Sequence, residues 1–143
     1  MALTAEIIYK PGPATDCRRP LFFVPVSAGF PSPADDYIEN CLDLNKHLIK
    51  HPAATFFVRV KGDSMIEAGI HSGDILIVDR SLEATDKKVV IAVIDGELMV
   101  KRIKIVDKVI CLLPENHAYS PTEITESMNF AVWGVVTNVI HAL

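Results

Sequence analysis

Val89-Val90-Ile91-Ala92-Val93-Ile94, then Asp95-Gly96, then Glu97-Leu98-Met99-Val100-Lys101-Arg102-Ile103-Lys104-Ile105-Val106 reads as two strands joined by a two-residue turn. β-Branched residues fill both runs, and Asp-Gly suits a hairpin turn with positive φ at both central positions. In that register Lys101 faces Val90 and Met99 faces Ala92. Alternation puts Lys101 on the same strand face as Met99, Ile103 and Ile105. Its amine therefore points among apolar side chains, which disfavour the charged form. Further runs at 55–60, 75–78, Val109–Leu113 and Phe130–Ile140 are bounded by Gly, Asp or Pro. Together they predict a compact, mainly antiparallel β body.

Composition limits what surrounds that body. With 143 residues, half of them hydrophobic, the chain can bury one core without disulfides or metal. Cys17, Cys41 and Cys111 are widely spaced and odd in number, so reduced thiols in a cytoplasmic protein are expected rather than a disulfide framework or a zinc site. His47, His51, His71, His117 and His141 show no ligand spacing, and no cofactor is implied. The longest apolar runs are strand length and the start has no basic leader, which argues against membrane or export. A net charge of −4 without a long basic run disfavours direct nucleic-acid binding.

Upstream of the body, residues 1–32 carry Pro11, Pro13, Pro20, Pro25 and Pro31 among short apolar pieces and are expected to form an extended arm. Ser32-Pro33 with Asp35 resembles a helix start, and Tyr37, Ile38, Cys41 and Leu42 would form one apolar face of a short helix over 33–42. Asp43 can cap a second helical turn holding Leu44, Leu48 and Ile49, ended by His51-Pro52. The division expected is an arm at 1–32 and a β domain at 33–143. Cys41 and Cys111 read as small core residues, and Trp133 as core or dimer interface. Asp74 and Asp79 read as turn caps.

Thirty-seven positions before Lys101 stands Ser64, in the turn Lys61-Gly62-Asp63-Ser64-Met65. Alone, Gly-Asp-Ser is an ordinary turn tripeptide, and a strand lysine can snorkel to water. As a pair they point to a serine activated by a neutral amine, one of the few ways to do so without histidine. Gly62-Asp63-Ser64-Met65, Gly69-Ile70, Gly73-Asp74-Ile75-Leu76-Ile77-Val78-Asp79, Asp95-Gly96-Glu97 and Val100-Lys101-Arg102 form an ordered series that resembles the LexA-like self-cleaving serine peptidases. Within them, Gly29-Phe30-Pro31-Ser32-Pro33-Ala34-Asp35-Asp36-Tyr37, Leu42-Asp43-Leu44-Asn45 and His51-Pro52-Ala53-Ala54-Thr55 are most similar to the small UmuD-type members. The likeness runs from about residue 20 to the C-terminus.

That resemblance implies a compact antiparallel peptidase domain with Ser64 as nucleophile, Lys101 as general base and Ala28-Gly29 as the bond cut. Backbone N–H groups of Ser64 and Met65 are the expected oxyanion donors. Two small residues in a proline-flanked loop suit entry into a narrow cleft, although a plain linker has the same composition. LexA and related repressors carry a helix-turn-helix domain before the cleavage bond. Twenty-eight residues with four prolines cannot build one, so cutting is expected to remove an arm. The resemblance further implies a homodimer, stimulation by a RecA filament on single-stranded DNA, and a product that supports a UmuC-type translesion DNA polymerase in the SOS response. The competing reading is a catalytically inactive dimeric adaptor of such a polymerase.

Overall fold

A computed structural model describes residues 4–13, 15–16, 18–22 and 38–143. In chain order the strands are β1 (Thr4–Tyr9), β2 (Arg18–Phe22), β3 (Ile38–Asp43), β4 (Thr55–Lys61), β5 (Ile75–Asp79), β6 (Val89–Ile94), β7 (Glu97–Val106), β8 (Val109–Leu113), β9 (Thr122–Glu123) and β10 (Phe130–Ile140). One α-helix, α1 (Leu44–Leu48), follows β3. Two compact units result, one of Met1–Pro11 with His51–Leu143 and the other of Gly12–Lys50.

The larger unit is an antiparallel sheet in the order β1-β4-β5-β10-β6-β7-β8-β9, and a bridge from Thr4 to Met99 also joins β1 to β7. The β6–β7 hairpin has the expected register, Val90 opposite Lys101 and Ala92 opposite Met99. Asp95 and Gly96 have φ of 49° and 85°, the positive pair that this turn requires. The unbroken apolar sequence of β6 is explained by burial on both faces. Ile91 and Val100 join Val58, Val60, Met65, Ile70, Leu76 and Val78 in one core cluster. Val90, Ala92 and Ile103 join Leu112 and Val135 in a second.

Strand β10 runs between β5 and β6 and carries a register shift against each, at Val136/Asn138 against β5 and at Val132/Gly134 against β6. Such irregularities bend a strand. A Cβ on Gly134 would lie 2.5 Å from Val78 Cγ1, a fully buried and branched side chain with nowhere to move. Gly134→Ala should therefore cost about 1–3 kcal/mol, the usual penalty of overpacking. Urea denaturation checks this, and an unchanged midpoint would refute it.

Two readings of the N-terminal region need correction. The helix expected over 33–42 is strand where it is described: Ile38–Asp43 pairs with β2, from Arg18 opposite Asp43 to Phe22 opposite Ile38. An isolated helix that short is marginal, whereas β2 supplies a ladder partner. Cys41, expected in the core, is exposed, while Cys111 is half-buried in β8. The second helical turn does form, as α1, with Asp43 Oδ1 accepting from Asn45 N at 3.0 Å. Within residues 1–32, β1 is a strand of the main sheet and β2 pairs with β3. Among the described residues no helix is long and apolar enough to cross a membrane.

Candidate active site

The turn after β4 is held from several sides. Gly62 has φ of 108°, a conformation that favours glycine, and its N–H donates to Ser72 Oγ at 3.2 Å. The carbonyl of Asp63 accepts from Ile66 N at 3.2 Å and Asn116 Nδ2 at 3.0 Å. The carbonyl of Met65 accepts from Ala68 N at 3.0 Å and Ile70 N at 3.2 Å, closing a 3₁₀ turn, Ile66–Ala68. The Met65 side chain is fully buried in the first core cluster and anchors the turn. Ser64, beside it, has no solvent-exposed surface.

From β7, Lys101 Nζ donates to Ser64 Oγ at 3.0 Å. Burial holds the Lys101 amine below its ordinary pKa of 10.5, because the charged form loses hydration that nothing fully replaces. The Tyr119 ring closes another side, its centroid 5.9 Å from Nζ. Once the amine is neutral, the same contact lets Oγ–H donate to Nζ, the arrangement that proton removal from serine requires.

An outer frame, from Glu115 to Tyr119, was not singled out in the sequence. The Glu115 carbonyl accepts from Glu67 N at 2.8 Å, and the Glu115 carboxylate pairs with the Arg102 guanidinium. Glu67 Oε1 accepts from His117 N at 3.0 Å and contacts His117 Nδ1 at 2.7 Å. The Tyr119 hydroxyl donates to Asp63 Oδ1 at 2.5 Å. That bond lowers the Asp63 pKa and raises that of Tyr119. The available signal was the polar and aromatic run Asn116-His117-Ala118-Tyr119 ahead of Ser120-Pro121, which looks like any surface turn.

Other polar residues have local duties. Asp79 accepts from Ser81 N and Oγ at 2.8 and 2.5 Å and meets His51 Nδ1 at 2.6 Å. Burial alone would raise its pKa, but these hydrogen bonds outweigh that and hold it low. Trp133 packs on the first core cluster, edge-on to Phe56 at 5.3 Å, with the Arg80 guanidinium 4.5 Å from its ring centroid. Ala28 and Gly29 lie outside the described residues. The expected nucleophile and base are thus adjacent, with Met65 buried beside them.

Residues 20–137 match a protein-family model described as Peptidase S24-like. The chain is 52% identical to protein SamA of Salmonella typhimurium over 122 residues, which are 85% of this chain and 84% of SamA. It is 42% identical to protein MucA of Escherichia coli over 137 residues, 95% of this chain and 93% of MucA. LexA repressor 1 of Xanthomonas oryzae pv. oryzae is 38% identical over 116 residues, 81% of this chain but 57% of the repressor. The chain belongs to the peptidase S24-like family, the LexA-like group of self-cleaving peptidases.

Proposed function

We propose that this chain is a self-cleaving serine peptidase of the UmuD type that cuts its own Ala28-Gly29 bond and so acts as a DNA-damage switch. The reading rests on one contact, Lys101 Nζ at 3.0 Å from Ser64 Oγ, in a chain of this peptidase family. Lys101 takes the Ser64 proton as Oγ attacks the Ala28 carbonyl carbon, and N–H groups of Ser64 and Met65 face the developing oxyanion. The C–N bond then breaks, and the Lys101 ammonium gives its proton to the departing Gly29 amine. Water, deprotonated by the again neutral Lys101, attacks the ester carbonyl carbon, and Lys101 returns that proton to Ser64 Oγ as the bond between Oγ and the Ala28 carbonyl breaks. The products are residues 1–28, ending in a carboxylate, and a chain that begins at Gly29. By the family likeness the proposed setting is a cytoplasmic homodimer, stimulated by a RecA filament on single-stranded DNA, whose product supports a UmuC-type translesion polymerase.

Incubating the pure protein at mildly alkaline pH, with intact mass followed over time, tests the chemistry. Wild type should yield a product whose N-terminal sequence begins at Gly29, and Ser64→Ala should stay intact. Undiminished conversion by Ser64→Ala in a protease-free preparation would overturn the peptidase reading and leave the inactive adaptor. A Ser64-dependent product with another start would overturn the assigned bond.

A further inference from the structure

The pairing of Ile75 with Ile140 between β5 and β10 sets Asp74 and His141 side by side at one end of the sheet. His141 Nδ1 lies 2.6 Å from Asp74 Oδ1. His71 precedes β5 on a tight turn, where its N–H donates to Asp74 Oδ2 at 2.8 Å and its carbonyl accepts from Asp74 N at 3.1 Å. Its ring centroid is 4.5 Å from that of His141, and its Nδ1 is 3.8 Å from Asp74 Oδ2. One donor atom from each of the three residues falls within 4.8 Å of the others. His71 Nδ1 is buried, yet has no hydrogen-bond partner among the described residues. A buried polar atom left that way asks for a ligand.

We propose that His71, Asp74 and His141 bind a divalent transition-metal ion, with Zn²⁺ the best match. Two imidazole nitrogens and one carboxylate oxygen are a donor set that suits zinc, with the fourth position left to water. Zn–N and Zn–O bonds of about 2.0–2.1 Å put tetrahedral donors roughly 3.4 Å apart. The 2.6 Å contact is to Asp74 Oδ1 and the 3.8 Å one to Oδ2, so with Oδ1 as the ligand the first must open while the His71 ring draws in from within the 4.8 Å spread of the donors. The side chains permit them: Asp74 is 5% exposed and fixed, whereas the His71 and His141 rings are 43% and 40% exposed and free to adjust. The Asp74 carboxylate is also oriented by the His71 N–H, the kind of outer hydrogen bond that fixes metal ligands.

Bound there, the ion ties the end of β10 to the turn between β4 and β5. Ser72, next to His71, accepts the Gly62 N–H, so the site adjoins a support of the Ser64 turn. The proposed role is structural, and no step of peptide cleavage passes through the ion.

Untagged full-length protein, stripped with a chelator, should be titrated with Zn²⁺ by calorimetry and with Co²⁺ by visible absorption. One ion per chain, a tetrahedral Co²⁺ spectrum and a higher Tm with saturating Zn²⁺ are expected. His141→Ala and His71→Ala should each weaken Zn²⁺ binding at least about tenfold while leaving the metal-free Tm near that of wild type. Absence of saturable binding would overturn the proposal. So would binding that both substitutions leave unchanged, which would assign the ion to other histidines or cysteines.

Discussion

Lys101→Ala should abolish self-cutting and leave the β body folded, and Lys101→Arg should not restore it. The amine sits 3.0 Å from Ser64 Oγ, held there by strand β7. Loss of a positioned general base costs about 10²–10⁴-fold. Guanidinium stays charged at any accessible pH and cannot accept the serine proton. In wild type the rate should climb with pH from neutral, about tenfold per unit while most Lys101 remains protonated, and level off at its lowered pKa. A flat profile between neutral and alkaline pH would assign the base to another group.

The same burial has a cost in stability with a defined sign. Lys101 loses its proton more easily folded than unfolded, so between the lowered pKa and the ordinary value of 10.5 the unfolded chain holds more protons. Stability from this group therefore rises with pH across that window and is least below it. Lys101→Met, which removes the buried charge and keeps the stem, should be at least as stable as wild type at neutral pH. Chemical usefulness and stability oppose each other at this position.

Much of the body was legible because its signals are local. Val89–Ile94, Asp95-Gly96 and Glu97–Val106 carry strand propensity, turn chemistry and alternation that agree, and the register followed from them. Lys101 could be placed in apolar surroundings for that reason. The two ends of the chain were harder because their structure depends on distant partners. Nothing in Thr4-Ala5-Glu6-Ile7-Ile8-Tyr9 says that it joins β4, some fifty positions later. Ile38–Asp43 has an apolar spacing that suits a helix face, and pairing with β2 decides against it. Nor could spacing group His71, Asp74 and His141, since the Ile75–Ile140 pair that gathers them is a long-range contact.

Placement of β1 in the main sheet leads to an expected result about what cutting releases. The residues of β1 pair with β4 as Thr4 with Lys61, Ala5 with Val60, Ile7 with Arg59, Ile8 with Val58 and Tyr9 with Phe57. Lys10 adds its ammonium, 5.7 Å from the Phe56 ring centroid. Hydrolysis of the proposed Ala28-Gly29 bond breaks none of these contacts, each ladder hydrogen bond being worth about 0.5–1.5 kcal/mol net. The N-terminal fragment should therefore stay on the body after the cut and leave in a second, reversible step that dilution favours. Its departure would uncover the β4 edge, a row of backbone donors and acceptors able to take another strand. Native mass spectrometry of a freshly cut sample should find the fragment still bound, and a synthetic peptide of residues 1–28 should bind a chain that starts at Gly29. A chain starting at Gly12 lacks the β1–β4 ladder, so its shorter fragment, left with the β2–β3 pairing alone, should separate sooner than the full-length one. Immediate and complete separation of the full-length fragment would mean that the cut itself, rather than strand release, changes the surface offered to a partner.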